Sequence, residues 1–200
     1  MFKLRRLSTE PILEPIAEHA FEREAVFNCG VTLHDGKIHM FYRAADRGFD
    51  ALRYPEPLEE HKFCSSFGYA VSEDGIHFER EPQPIYVGEG EQEAWGVEDP
   101  RISKIGDTFY MGYTAFGGRR WDNHRISMAS SKDLRRWERH GVLLDEPNKD
   151  AGLLEDLVEG RYMLFHRRMP HIWAAFSKDL RTWEDHQIVM ETIPGGWERS

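Results

Sequence analysis

The sequence predicts an all-β fold, either a propeller or a solenoid, because one strand pattern recurs along the chain. A seven-residue motif that starts with Ser-x-Asp and ends on an aromatic residue occurs at positions 72–78, 131–137 and 177–183. Each copy follows a short run of small and apolar residues, as expected for a buried strand. A strand unit that repeats about every 50 residues buries its faces only against neighbouring units. The three copies therefore indicate three such units.

A methionine-containing strand accompanies each copy of the motif. Met40, Met111 and Met163 lie in short runs of aromatic and aliphatic residues that begin just after a glycine. Runs of this kind, bounded by Gly, Asp, Asn and Pro, are typical of strands joined by tight turns. Three dipeptides predict hairpin turns: Asp35-Gly36, Asp74-Gly75 and Glu159-Gly160.

Each unit is interpreted as a strand, a hairpin, a second strand, the Ser-x-Asp turn and a third strand that closes on Phe78, Trp137 or Trp183. These aromatic side chains are interpreted as core residues between adjacent sheets, which supports a propeller. The two copies that contain Lys-Asp-Leu are expected to form a tighter turn or a single helical turn. Residues 14–23 are the one stretch that we consider as a helix.

The composition excludes several classes of partner. Charged residues make up 30% of the 200 residues, and the formal net charge is −9. Nucleic acids and anionic membranes attract positively charged surfaces, so neither is expected as a partner. The basic N-terminus lacks the apolar stretch of a signal peptide, and no stretch is apolar enough to span a membrane. Cys29 and Cys64 fit no metal site or disulfide framework, so we expect two reduced cysteines in a cytoplasmic protein.

We interpret residues 1–200 as a single partial propeller domain. Three units of this spacing are too few to close a ring. Residues 195–200 look like the entry to another unit, so we expect an N-terminal portion of a longer protein. An open propeller exposes sheet edges and lacks part of its pocket, and these residues are therefore expected to be inactive alone.

The segment between the first two motif copies carries the candidate chemistry. Glu98 and Asp99 are followed by Pro100 and Arg101, just before a predicted strand. Proline restricts the backbone of the preceding residue and can hold the Asp99 carboxylate in one direction. Arg101 can pair with a carboxylate or orient a sugar hydroxyl. By composition alone, an acidic turn capped by a salt bridge is the simpler interpretation.

Several motifs in one order resemble glycoside hydrolase family 130. They extend over nearly the whole chain, from about residue 27, and comprise residues 95–102, 110–115, 149–154, 162–167, 170–173 and 177–180. The family contains β-mannoside phosphorylases and related β-mannosidases built as five-bladed β-propellers. The resemblance implies an all-β, five-bladed propeller fold, of which this chain covers roughly three blades.

The resemblance also implies a reaction. Asp99 matches the aspartate that acts as the general acid and sends its proton to the glycosidic oxygen through a mannosyl hydroxyl. Inorganic phosphate attacks with inversion and gives α-mannose 1-phosphate, so the second carboxylate of an ordinary inverting glycosidase is not required. The site then needs cations that hold the phosphate in place. Four residues match the phosphate-binding positions: Arg43, Arg125, Lys149 and Arg167.

Polar and aromatic side chains nearby are candidates for sugar contacts. They are Asn28, Tyr42, Asp46, Glu98, Arg101, Tyr113, Asp150, His166 and His171. For Tyr42 and Tyr113 a core position is an equally good interpretation. The two histidines lack a third ligand at diagnostic spacing, so we expect no metal and no cofactor besides phosphate as co-substrate. Asn28-Cys29-Gly30 stands where the family has Asn-Pro-Ala, a difference that can alter the first sugar subsite.

Three functions remain open from the sequence. The leading hypothesis is a phosphorylase that cleaves a short β-mannoside, and a homo-oligomer is compatible with it. A β-mannosidase on the same fold would use water and would need a second carboxylate, for which Glu98 is a candidate. A non-catalytic carbohydrate-binding or structural fragment would not depend on the Asp99 carboxylate.

Overall fold

Twelve β-strands form three four-stranded sheets in the part of the protein that the structure describes. The computed structural model describes residues 3–47, 63–193 and 195–196. In each sheet the strands are antiparallel and lie side by side in chain order. None of the described residues is in an α-helix. The prediction of an all-β fold with three repeated units is therefore confirmed.

The three sheets have matching strand orders. Sheet I contains β1 (Ala25–His34), β2 (Lys37–Ala45), β3 (Ser65–Ser72) and β4 (Glu79–Arg80). Sheet II contains β5 (Val97–Ile105), β6 (Thr108–Phe116), β7 (His124–Ser131) and β8 (Glu138–Leu144). Sheet III contains β9 (Lys149–Leu153), β10 (Tyr162–Arg168), β11 (His171–Ser177) and β12 (Glu184–Met190). The methionine strand is the second strand in every sheet.

Each sheet has one strand more than the sequence predicts. The apolar run before Ser-x-Asp is the third strand, and the residues that follow the aromatic position form a fourth. Phe78, Trp137 and Trp183 therefore lie between the third and fourth strands instead of closing a third strand. The Trp137 ring packs edge-on against Phe41 of sheet I, with ring centroids 5.4 Å apart. Its predicted position between adjacent sheets is confirmed.

The Ser-x-Asp turn forms the same hydrogen bonds in all three copies. In the second copy, Ser131 Oγ accepts hydrogen bonds from the amides of Asp133 and Leu134, at 3.2 and 2.9 Å. Asp133 Oδ1 accepts two more from the amides of residues 135 and 136, both at 2.8 Å. The first and third copies repeat this pattern of four bonds. Two side chains thus set the path of the backbone.

The expected difference between the turns is consequently wrong. Leu134 and Leu180 have φ angles of 60° and 62°, close to the 76° of Gly75. The side-chain hydrogen bonds hold all three copies in one conformation, whichever residue occupies the left-handed position. Asp74-Gly75 lies within such a turn and is not a two-residue hairpin, whereas Asp35-Gly36 joins β1 to β2 as predicted.

The predicted helix at residues 14–23 is also absent, and turns occupy this stretch. The amides of His19 and Glu22 bond to carbonyls only three residues earlier, each at 3.0 Å. Glu22 is fully buried and accepts hydrogen bonds from Tyr42 and Arg80 of sheet I, at 2.8 and 3.1 Å. These contacts with the sheet stabilise the turns in place of regular helical hydrogen bonds.

The core lies in layers between the sheets. Phe41, Tyr69, Phe109 and Leu134 pack between sheets I and II. A second cluster between sheets II and III includes residues of β7, β9 and β10. The first strands of sheets I and II approach closely, because a Cβ atom added to Gly30 would lie 2.6 Å from the carbonyl oxygen of Pro100. Glycine at this position lets the two first strands meet at the candidate site.

We expect Ser131→Ala to lower the free energy of unfolding by about 1 kcal/mol, because two backbone amides lose their side-chain acceptor. Ser130→Ala is the matched control, since its half-buried hydroxyl contacts the exposed His140 and leaves the turn intact. Urea unfolding measures both variants. Equal stabilities of the two variants would contradict the role assigned to the turn.

Candidate active site

A β-bulge in the first strand of every sheet shapes the site. In β1, β5 and β9, two residues stand opposite a single residue of the second strand. The first bulged residue is Asn28, Asp99 or Asp150, with φ angles of 44°, 54° and 58°. Bulges re-aim side chains, and here they bring the three polar groups together. Asn28 Nδ2 donates to Asp99 Oδ1 at 2.9 Å, and the Asp150 side chain lies beside Asp99.

Asp99 is the central residue of this group. It is only 4% exposed, so its negative charge requires nearby compensation. Arg43 lies 3.4 Å from Asp99 Oδ1. Burial on its own raises the pKa of Asp99, but the Arg43 charge, the Asn28 hydrogen bond and the Lys149 charge together outweigh it. The pKa therefore lies below its ordinary value, and the group is ionised in the unliganded protein.

Arg43 of sheet I contacts both neighbouring carboxylates of sheet II. Its guanidinium donates to Glu98 Oε1 at 2.6 Å and to Ser65 Oγ at 3.1 Å, and it lies over the Phe27 ring at 4.8 Å. Burial raises the pKa of Glu98 above its ordinary value, and the attraction of Arg43 offsets part of that rise. The geometry fixes Arg43 from several sides and makes it part of the cavity wall.

The carboxylates open into a cavity of about 430 Å³, large enough for a sugar unit and an anion. Ten residues line it: Phe27, Asn28, Arg43, Glu98, Asp99, Thr114, Phe116, Trp121, His124 and Lys149. Lys149 is half-buried, and its positive charge opposes the effect of burial on the pKa of both Asp99 and Glu98. The cavity thus combines a buried acid with cationic groups, the components that phosphate-dependent cleavage needs.

Only two of the four predicted phosphate-binding residues line the cavity. Arg43 and Lys149 line the cavity. Arg167 pairs with Asp150 at 3.0 Å, one bulge away from Asp99. Arg125 pairs with the exposed Asp145 at 3.1 Å and does not line the cavity. Of the four cations, Arg43 therefore contacts Asp99 directly, Lys149 shares the cavity with it, and Arg167 pairs with the neighbouring Asp150.

The predicted sugar contacts separate into three groups. Asn28 and Glu98 line the cavity, with Asp150 beside Asp99. Tyr42, Tyr113 and His166 each stand opposite a bulge, where the strand directs them into the interior, and they are 2%, 1% and 0% exposed. Tyr113 donates to Glu93 at 2.7 Å, and His166 contacts Asn148 at 2.9 Å.

The remaining three candidates satisfy local backbone groups. Asp46 Oδ1 accepts a hydrogen bond from the amide of Cys64 at 2.8 Å. Arg101 donates to the carbonyl of Pro100 at 2.9 Å, and His171 Nδ1 accepts from the amide of Thr192 at 3.3 Å. None of the three lines the described cavity. Cys29 and Cys64 are both exposed and are not joined by a disulfide.

Sequence reasoning missed five residues of the cavity wall: Phe27, Thr114, Phe116, Trp121 and His124. A comparison of the repeats could have found Thr114, because it occupies the position on β6 that Arg43 and Arg167 occupy on β2 and β10. Trp121 lies in the connection between β6 and β7, outside the repeated motifs, so the repeat carries no signal for it.

Residues 3–47, 63–193 and 195–196 contain neither a metal-binding cluster nor a membrane-spanning helix. These residues bring together no group of three His, Cys, Asp or Glu side chains arranged to hold a metal ion. They also include no helix of the length and apolarity that crossing a membrane requires.

Residues from all three sheets line this cavity, which combines buried carboxylates with cationic groups. The sequence profile of glycoside hydrolase family 130, described as β-1,4-mannooligosaccharide phosphorylase, matches residues 3–200. The chain belongs to this family.

Characterised relatives agree with this assignment. The chain is 58% identical over 175 residues to a β-1,2-mannobiose phosphorylase of Thermoanaerobacter sp. strain X514, covering 88% of this chain and 58% of the relative. It is 50% identical over all 200 residues to a 1,2-β-oligomannan phosphorylase of the same strain, of which it covers 65%. A glycosyl hydrolase structure from Bacteroides ovatus aligns with a TM-score of 0.75 and 27% identity, over 90% of this chain and 56% of that one. The chain thus spans about three-fifths of these proteins.

Below neutral pH, we expect His166 to destabilise the fold. Burial, His186 and Arg168 lower the pKa of His166 to about 4. When the pKa of a histidine is lower in the folded state, the folded protein loses stability as the pH falls below the pKa of the unfolded state, near 6.5. This effect makes the protein roughly 2 kcal/mol less stable at pH 5 than at pH 7.

Urea unfolding at the two pH values measures this effect. His166→Asn should reduce the difference between pH 7 and pH 5, whereas His140→Asn, at an exposed position on β8, should leave it unchanged. A His166→Asn protein with the full wild-type difference would show that His166 is not the responsible group.

Proposed function

We propose that the protein is a β-mannoside phosphorylase that cleaves β-1,2-linked mannosides with inorganic phosphate and inversion, releasing α-mannose 1-phosphate. One observation carries the proposal: a buried aspartate, Asp99, shares a sugar-sized cavity with Arg43 and Lys149. The names of the two Thermoanaerobacter relatives support both the phosphorolytic reaction and the β-1,2 linkage.

We further propose that the three sheets are three blades of a five-bladed propeller. The first strands β1, β5 and β9 then lie innermost, which agrees with the contact of their bulged residues Asn28, Asp99 and Asp150. In a propeller the innermost strands surround a central channel. The proposed active site lies at one end of that channel.

In the proposed reaction, a phosphate oxygen forms a bond to the mannosyl carbon while the bond from that carbon to the glycosidic oxygen breaks. Asp99 supplies the proton that the leaving oxygen needs, through a hydroxyl of the mannosyl unit. The proton of the phosphate group later restores the acid. The cationic groups position the anion and oppose its charge, so that attack is favoured without a second carboxylate.

An acid must hold a proton, yet the ion pairs keep Asp99 ionised in the unliganded protein. Phosphate resolves this conflict, because a dianion beside Lys149 and Arg43 cancels part of the positive charge that favours the carboxylate. Phosphate binding then raises the pKa of Asp99 and prepares the acid. In this proposal the second substrate both attacks the sugar and readies the proton donor.

A β-mannosidase is the second candidate, and one observation favours it. Glu98 lines the same cavity, and burial raises the pKa of its carboxyl, as is common for general bases. However, Glu98 Oε1 is bound to Arg43 at 2.6 Å, which leaves this oxygen less available to activate water. Phosphate dependence distinguishes the two candidates.

We expect cleavage of β-1,2-mannobiose by the full-length protein to require phosphate and to yield α-mannose 1-phosphate, detected by phosphorus NMR. Asp99→Asn should lower the turnover number about 10²- to 10⁴-fold, the usual contribution of a general acid. Asp107→Asn, in an exposed turn of sheet II, is the matched control and should retain activity. Turnover that does not depend on phosphate would contradict the phosphorylase proposal and favour the β-mannosidase. Full activity of Asp99→Asn would show that Asp99 is not the general acid.

A further inference from the structure

One aromatic side chain stands out in the polar cavity. Trp121 lines the same cavity as Asp99, yet it is 40% exposed whereas Asp99 is 4% exposed. Asp99 therefore lies at the base of the cavity and Trp121 at its mouth. A large aromatic ring at the mouth of a polar site is suited to an apolar surface of a ligand.

The ring is held by a hydrogen-bonded loop. The amide of Gly117 donates to the carbonyl of Asn123 at 3.0 Å, and Asn123 Nδ2 donates to the carbonyl of Gly118, also at 3.0 Å. His124 Nδ1 donates to the carbonyl of Trp121 at 2.6 Å. Gly118 has a φ of 70°, and a Cβ there would overlap the Trp95 indole. The loop is thus fixed at both ends and packs on a buried tryptophan.

A stack of rings supports Trp121 from below. Its ring is nearly parallel to that of Phe116, with an interplanar angle of 11° and centroids 6.0 Å apart. Phe116 is itself buried between Phe63 and Trp95, at 6.1 and 5.7 Å. The position of Trp121 is therefore set before any ligand binds, which reduces the entropy cost of binding.

We propose that Trp121 is the binding platform for the leaving-group sugar of the β-mannoside. This inference rests on the proposed function, because the mannosyl unit must contact the acid at the base of the cavity. The sugar that leaves then extends toward the opening, where Trp121 is the exposed ring. A pyranose presents one face of C–H groups, and an aromatic ring can cover that face while the hydroxyls remain in water.

Kinetics in both directions of the reaction distinguish a specific contact with the leaving-group sugar from an effect of Trp121 on all substrates. In synthesis from α-mannose 1-phosphate and mannose, Trp121→Ala should raise the KM for mannose about tenfold, which corresponds to about 1.4 kcal/mol of lost stacking. The KM for α-mannose 1-phosphate, and that for phosphate in phosphorolysis, should change less than twofold, about the scatter between variants at sites that do not touch the ligand. Trp121→Phe should recover most of the affinity for mannose.

Arg120→Ala is the control for the loop, since Arg120 neighbours Trp121 and does not line the cavity. It should leave the KM for mannose unchanged. Equal effects of Trp121→Ala on both synthesis substrates, or no effect on mannose, would overturn the platform. If the wild-type protein shows no phosphorolysis, the proposed function fails, and calorimetric titration with β-1,2-mannobiose tests the platform separately. Equal binding by wild type and Trp121→Ala would then overturn it.

Discussion

The shared guanidinium of Arg43 is the interaction on which the site depends. It reaches from sheet I to Glu98 and Asp99 of sheet II, and all three residues are buried. Its charge opposes the effect of burial on both carboxyl groups, and removing one partner of a buried ion pair costs about 3–5 kcal/mol. Arg43 therefore joins the two sheets and sets the charge of the acid with the same contacts.

The repeated bulge sets the geometry of the site, and the different residues at equivalent positions of the three sheets supply its chemistry. The bulge aims Asn28, Asp99 and Asp150 at one another from three sheets. The residue before each of them is Phe27, Glu98 or Lys149, so equivalent positions contribute an apolar wall, a carboxylate and a cation. A threefold repeat of one backbone device thus produces a site in which every sheet has a different role.

Much of the fold follows from the sequence, because the Ser-x-Asp turns and the methionine strands recur in recognisable form. The helix expected at residues 14–23 and the fourth strand of each sheet, which the sequence did not predict, show the limit. Contacts with Tyr42 and Arg80 override local periodicity, and the fourth strands are mostly exposed edge strands that lack the pattern of a buried strand. For the candidate site, the motif predicted Asp99, and the structure places this residue in the cavity wall. The buried positions of Tyr113 and His166 depend on the register of the bulges, and that register appears only once the strands are paired.

The pKa of Asp99, followed by carbon NMR of the labelled carboxyl group with and without phosphate, tests the central claim most directly, and Asp99→Asn assigns the signal. The account predicts a pKa below the ordinary aspartate value in the free protein, because Arg43, Asn28 and Lys149 stabilise the carboxylate. Saturating phosphate should raise it. An ordinary pKa that phosphate does not change would contradict the coupling between the buried acid and its cationic neighbours.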